Sequence, residues 1–282
     1  QFQSDGPMRN QPVMLDGVLF ASSEDGNVYA LDAATGQIRW KHLIGGVPQA
    51  TMTATDGLVF AGDNDPYRNY GTLFVLDAAT GEEVWRLPDA QTSAPLVVDG
   101  VLYTGTGDGL LHAFDAASGK EKWQVRGALM SRGFTWADGL LFYGGQDQVI
   151  YALDAQTGAE RWRYQAAAGQ LGTVGVLDGL VYEIVFDGPT NYLYVLDAPT
   201  GEERWTFASN TRIQPPAVRD GVAYLPTGDG GIYALDATQG TVQWRFTVDN
   251  PTVYATFVAG DTLYVTTSSP IIHAVDVATG NE

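Results

Sequence analysis

The sequence predicts an all-β fold, a seven-bladed β-propeller of four-stranded antiparallel blades, and three observations predict it. A thirteen-residue phrase, "VYALDAATGQIRW" at Val28–Trp40, returns as "LFVLDAATGEEVW", "LHAFDAASGKEKW", "IYALDAQTGAERW", "LYVLDAPTGEERW" and "IYALDATQGTVQW". Its central acids, Asp32, Asp77, Asp115, Asp154, Asp197, Asp236 and Asp276, are spaced 45, 38, 39, 43, 39 and 40 residues apart, a period that marks a repeat architecture. Each period holds four short runs rich in Val, Leu, Tyr and Phe and bounded by Gly and Asp, the signature of strands joined by hairpins. No segment has helical length and period.

The third unit shows the elements in order: "SAPLVV", the turn "DG", "VLYTGT", the turn "GDG", "LLHAFDA", the turn "ASG" and "KEKWQVR". Four strands in about forty residues match a propeller blade. The strands read as apolar runs rather than a clean alternation because a blade is covered on both faces by its neighbours. The predicted blades are approximately 6–45, 46–88, 89–127, 128–166, 167–208, 209–248 and 249–282, with residues 1–5 joining the last, all in one domain spanning 1–282. The seventh phrase, "IHAVDVATGNE", ends at Glu282 without a Trp. An opening "QFQS" resembles the tails that follow each Trp, so Gln1–Gln3 are expected to supply the outer strand of the last blade and close the ring.

The phrase has its own chemistry. The Asp32 carboxylate can accept backbone N–H groups two or three residues on, Thr35 can add its hydroxyl, and Gly36 can take positive φ at little steric cost. Four residues after each Gly stands Trp40, Trp85, Trp123, Trp162, Trp205 or Trp244, one large aromatic per blade at one depth, as packing between blades requires. Seven further acids, Asp16, Asp56, Asp99, Asp138, Asp178, Asp220 and Asp261, sit at or beside a second turn, so fourteen of the 33 Asp and Glu residues are turn chemistry. The formal charge of −18 therefore says little about partners beyond excluding nucleic acid, which needs clustered Lys and Arg. The absence of Cys removes disulfides, thiolate metal sites and a thiol nucleophile. A start at Gln1 rather than Met is expected of a mature or excised chain.

The pattern Ala-x-Asp-x-x-Thr-Gly-x-x-x-Trp resembles the repeat of the pyrroloquinoline-quinone (PQQ) propeller family, which includes dehydrogenases and non-enzymatic members. Among the latter are the propeller lipoprotein of the outer-membrane assembly machinery and extracytoplasmic sensor domains of bacterial Ser/Thr kinases. The resemblance covers essentially the whole chain and implies that each Trp docks against the neighbouring blade. It also implies a periplasmic or extracellular location, with the chain attached to a membrane-anchored kinase or an envelope complex.

Aligning the units on their "DG" turns places Asn10, Ala50, Ser93, Arg132, Gly172, Gln214 and Tyr254 at one position. Two residues earlier lie Met8, Pro48, Gln91, Met130, Gln170, Arg212 and Thr252, with Arg9 and Gln49 between the rows. With only fifteen Lys and Arg in the chain, Arg9, Arg132 and Arg212 at this level predict a polar mouth for an anionic small molecule or acidic peptide. Two long loops on the same face, "GDNDPYRNYGT" and "VFDGPTNY", offer Asp63, Asp65, Tyr67, Arg68, Tyr70, Asp187 and Asn191 for recognition. Glu183 stands where other units carry Ala21, Ala61, Thr104, Tyr143, Leu225 and Val265, and is expected to face the mouth. His112 and His273 replace Tyr or Phe in the repeat and are expected to pack, and three His with no shared spacing make no metal site.

Three classes follow. A quinoprotein dehydrogenase would hold PQQ and Ca²⁺. This chain departs from that class in having no Cys, seven countable units and few insertions. The expected role is a non-catalytic binding propeller, sensing a ligand or binding protein through the mouth and loops, with PQQ or another anionic molecule as candidate ligand. A scaffold subunit of an envelope assembly complex is the third.

Overall fold

The computed structural model describes residues 2–46, 52–63, 70–91, 95–130, 132–167, 169–172, 174–248 and 253–282, with the backbone alone at 70, 91 and 254. The chain divides into two compact units, Gln1–Trp136 with Asp154–Ala159, and Ala137–Leu153 with Glu160–Glu282. All regular structure among the described residues is β, arranged as seven antiparallel sheets in which strands follow chain order, the meander of a propeller blade.

The first unit holds three four-stranded sheets. Blade one runs through Val13–Leu15, Val18–Ser22, Asn27–Asp32 and Ile38–Leu43. Its first two strands join at Asp16 (φ 48°) and Gly17 (φ 76°), a two-residue turn whose positive φ values match the twist of the strands it joins. The core lies between sheets: Phe20, Val28 and Ala30 of blade one pack with Val59, Phe74 and Leu76 of blade two.

In the second unit, blade five is the largest. It adds a short strand, Gln170–Leu171, beside the second strand Leu180–Asp187. That strand and Thr190–Asp197 are eight residues each and stay paired out to Asp187–Thr190. The expected long loop "VFDGPTNY" is therefore a strand extension closed by a tight turn, because Val185, Phe186, Asn191 and Tyr192 continue the ladder and Gly188 supplies φ 54°. The other long segment keeps its ends in the strands Tyr70–Asp77 and Glu83–Gln91, while Asp65, Tyr67 and Arg68 lie outside the described residues.

Blade seven has three strands, Val253–Ala259, Thr262–Thr267 and Ile272–Asp276. Among the described residues no strand precedes Val13, and Gln1 lies outside them. Phe2 packs on Tyr29 of blade one, with ring centroids 5.1 Å apart. The Asp5 N–H donates to Asp25 Oδ2 (3.2 Å), the Glu24 N–H to Pro7 O (2.9 Å) and the Ser23 hydroxyl to Gly6 O (3.1 Å). Residues 5–7 thus commit their backbone groups to the Ser23–Asp25 turn.

Candidate interaction face

The repeated phrase builds the frame that holds every candidate residue. Asp32 Oδ1 accepts from the Thr35 N–H and hydroxyl, both at 2.9 Å, and Oδ2 pairs with Arg39 at 2.7 Å. These donors hold the Asp32 carboxyl well below the usual range, the Arg39 hydrogen bond being the largest cause. The Trp40 indole N–H donates to Ala78 O of the next blade at 3.0 Å, and Trp85 and Trp123 do the same to Ala116 O and Ala155 O. In the second unit Trp162, Trp205 and Trp244 each donate to Ala198, Ala237 and Val277 O at 2.9 Å. The motif Gly residues serve the same joint: a Cβ on Gly201 would lie 2.5 Å from Trp162 Cδ2.

Three members of one aligned row meet the same position of the second strand, Asn10 through its side chain and Gly172 and Gln214 through their backbone. The Asn10 side chain donates to Ser22 Oγ (3.2 Å), the Gly172 N–H to Ile184 O (2.9 Å) and the Gln214 N–H to Pro226 O (3.1 Å), and these three partners share one position on the second strand. Gln214 also donates from its side chain to Val253 O at 2.5 Å. Its amide therefore ties blade six to blade seven.

The three arginines have separate surroundings. Arg9 pairs with Glu24 at 2.5 Å while its side chain stays largely exposed. Arg212 is exposed, with its guanidinium 5.9 Å from the centroid of Phe186 on the blade-five extension. Arg132 is exposed in the first unit. Gln170 is exposed on its short strand, Gln49 lies outside the described residues, and Gln91, Tyr70 and Tyr254 are placed by their backbone alone.

Two candidates turn out to be internal. Glu183 has no exposed surface, so it does not line a mouth. Its strand neighbours Val181 and Val185 on the same face belong to a cluster with Phe142 and Ile150. Oε1 accepts from the Gly172 N–H at 2.6 Å, and Oε2 has no hydrogen-bond partner among the described residues. Burial pushes this carboxyl up to about 8, only partly opposed by the Gly172 hydrogen bond, so it is protonated at neutral pH. Asn191 is also buried and donates to Thr211 O at 3.0 Å, bracing the extension rather than reaching outward. Asp187 is half-buried at the tip of that extension. Asp63 accepts from the Thr72 N–H and holds its own hairpin together. His112 packs as expected, stacked on Phe114, and is bonded at Nδ1 to Glu121 (2.7 Å) and at Nε2 to Thr106 (3.1 Å).

A PQQ–Ca²⁺ pair needs a converging set of oxygen donors. Among the described residues no three His, Cys, Asp or Glu side chains come together in a metal-holding group, and Glu183 is neutral and enclosed.

Comparison with known proteins agrees with this architecture. The crystal structure of BamB from Moraxella catarrhalis superposes with a TM-score of 0.73 at 21% identity, covering 97% of this chain and 84% of that one. The outer membrane protein assembly factor BamB of Yersinia pestis is 33% identical over 104 residues, 36% of this chain and 25% of its own length. A 1-butanol dehydrogenase (cytochrome c) of Thauera butanivorans is 33% identical over 115 residues, 34% of this chain and 16% of its own length. The matches thus span about a quarter or less of these curated relatives. The family model described as outer membrane protein assembly factor BamB matches at residues 1–64, 24–132, 128–190 and 146–282. Matched by these overlapping segments from end to end, and built of the same blades, the chain belongs to this BamB family of PQQ-type β-propellers.

Proposed function

We propose that this chain is a non-catalytic, protein-binding propeller of the bacterial cell envelope, acting in outer membrane protein assembly as its family's name describes. The observation that carries the reading is the end-to-end family match. The location that goes with it is the periplasmic side of the outer membrane. Its proposed binding residues in the second unit are the exposed Arg212 and Gln170, with the tip of the blade-five extension at Asp187; Arg132 is a separate candidate on the first unit. An exposed arginine beside a rigid sheet suits an acidic peptide, and Arg212 lies over the Phe186 ring.

A photo-crosslinking residue placed at 132 or at 212 tests this. The expected product joins the chain to an outer-membrane assembly protein in envelope fractions, and Arg212→Ala with Arg132→Ala weakens capture at least several-fold. The dehydrogenase match favours the second reading, an alcohol-oxidising quinoprotein. Reduction of an acceptor dye by 1-butanol after loading with PQQ and Ca²⁺ would establish that reading and overturn the first.

A further inference from the structure

We propose that Glu183 is a proton-operated latch for the short segment Gln170–Gly172 of blade five. The neutral carboxyl keeps the segment seated on the second strand, and loss of the proton lets it go. The latch goes beyond the protein-binding reading and does not depend on it.

The first strand of blade five is in two pieces. Gln170 and Leu171 pair with Phe186 and Val185, while Gly175, Val176 and Leu177 pair with Tyr182, Val181 and Leu180. Glu183 and Ile184 stand opposite the break, where among the described residues only the Gly172 N–H reaches them. Blade six has the same break. Ile213 bridges Thr227, Ala217–Arg219 pair with the start of the second strand, and the Gln214 N–H goes to Pro226 O. There the position of Glu183 belongs to Leu225, fully buried in a cluster with Ile213 and Ala223. The break is thus built for an apolar side chain, and blade five fills it with a carboxyl.

The groups facing that carboxyl are apolar or neutral. Blade four contributes Phe142 and Ile150, and the two sides of the break contribute Leu171 and Val174, all in the cluster that holds Val181 and Val185. Its ladder partner on the third strand is Tyr194, whose hydroxyl accepts from the Ala167 N–H at 3.3 Å. Beside Tyr194 lies Tyr164 of blade four, which donates to Glu203. Burial raises both phenols above their ordinary value, so neither is charged when Glu183 titrates. On the strand of Tyr164, Arg161 is exposed and Arg163 is paired with Glu160 over the Tyr151 ring.

Oε1 has the Gly172 N–H at 2.6 Å and Oε2 has no partner among the described residues, so an ionised carboxyl here lacks donors to replace its water. Burial accordingly pushes the group up to about 8. Above that value the charge is relieved where water enters most easily. The second strand is paired with the third along its whole length, Leu180–Asp187, whereas the segment is held through Gln170, Leu171 and the Gly172 N–H alone. The segment is therefore the part that yields. Gln170 rides on it beside Phe186, so its release also alters the proposed binding face, a consequence that rests on the binding reading.

The whole chain, isotope-labelled, is followed by NMR between pH 6 and pH 9.5. The Glu183 side-chain carboxyl and the Gly172 amide should titrate together. Between pH 7 and pH 9 the Gly172 amide should lose about tenfold or more of its protection from hydrogen exchange, beyond the intrinsic rise in rate, while Val195 and Leu196 keep theirs. Glu183→Gln and Glu183→Leu should protect Gly172 equally at both values. A Glu183 carboxyl that titrates without change at Gly172 overturns the proposal, as does equal loss in Glu183→Gln or equal loss at Val195 and Leu196. Unchanging Gly172 signals beside successful crosslinks at 132 or 212 remove the latch alone. Failed crosslinks beside a titrating Gly172 remove the binding reading and leave the latch standing.

Discussion

Gly201 lies directly under the Trp162 ring: a Cβ on Gly201 would fall 2.5 Å from Cδ2, while the Trp162 indole N–H donates to Ala198 O at 2.9 Å. One turn thus presents a carbonyl to the polar edge of the indole and a bare Cα to its face. The two constraints explain why Gly and Trp recur together.

Gly201→Ala is expected to be destabilising on two counts. The left-handed conformation (φ 74°) costs a side chain about 1–2 kcal/mol, and the contact with Trp162 adds to it. Trp162→Phe keeps most of the packing but leaves Ala198 O without its donor, for about 1–3 kcal/mol. Trp162→Ala should cost roughly 3–5 kcal/mol. Urea unfolding of the three variants checks the order; Gly201→Ala as stable as the parent would refute the joint.

Glu183 makes stability fall as pH rises. Its folded carboxyl titrates at about 8 against an ordinary 4.5, so between those values the folded chain holds a proton that the unfolded chain has released. Folding is then penalised progressively from about pH 4.5 to about pH 8, by an amount on the order of a few kcal/mol. Glu183→Leu, the residue at this position in blade six, removes the penalty, and the Gly172 N–H keeps Ile184 O as acceptor. Melting at pH 5 and pH 8 should show a drop for the parent and a flatter profile for Glu183→Leu. Parallel profiles would mean the carboxyl is not proton-linked.

The turn acids act in the opposite direction. Asp32, Asp77, Asp115, Asp197, Asp236 and Asp276 are all held below the ordinary value, by the Arg pair at Asp32 and Asp197 and by Thr or Ser and backbone N–H donors at the rest. Their contribution is complete above the unfolded value of 3.8 and is lost as pH falls through their folded values. Their pH dependence thus opposes that of Glu183. Asp197→Asn keeps an acceptor for Thr200 but loses the charge opposite Arg204, so acid unfolding of this variant should be less steep. An unchanged acid midpoint and slope would count against the pair.

The Arg212 guanidinium should be anchored by Phe186. Phe186→Ala leaves the charge and frees the side chain, so partner capture through a crosslinker at 212 should fall a few-fold with little change in melting. Equal capture would show that the ring does not position the arginine.

The strands, the "DG" turns, the Asp–Thr caps and the Trp joints were all legible in the sequence. Each depends on residues close in the chain or on a spacing repeated six times. Glu183 was singled out correctly as the odd residue in its column but placed at a mouth, because a column of the alignment does not say which face of a strand is enclosed. The blade-five segment read as a loop from Asp187, Gly188 and Pro189, yet Gly188 and Pro189 alone turn the chain while the flanking residues stay paired.

The sequence by itself determined the repeat, the four-strand blade and the chemistry of each joint, since backbone turn preference and strand periodicity are local. Only the tertiary structure decided that Phe2 stacks on Tyr29, that the Glu183 carboxyl is sealed among Val181 and Val185, and that Asn191 turns inward to Thr211. Those outcomes turn on which of several distant partners buries a side chain or satisfies a backbone group, and that competition is settled only when the sheets pack.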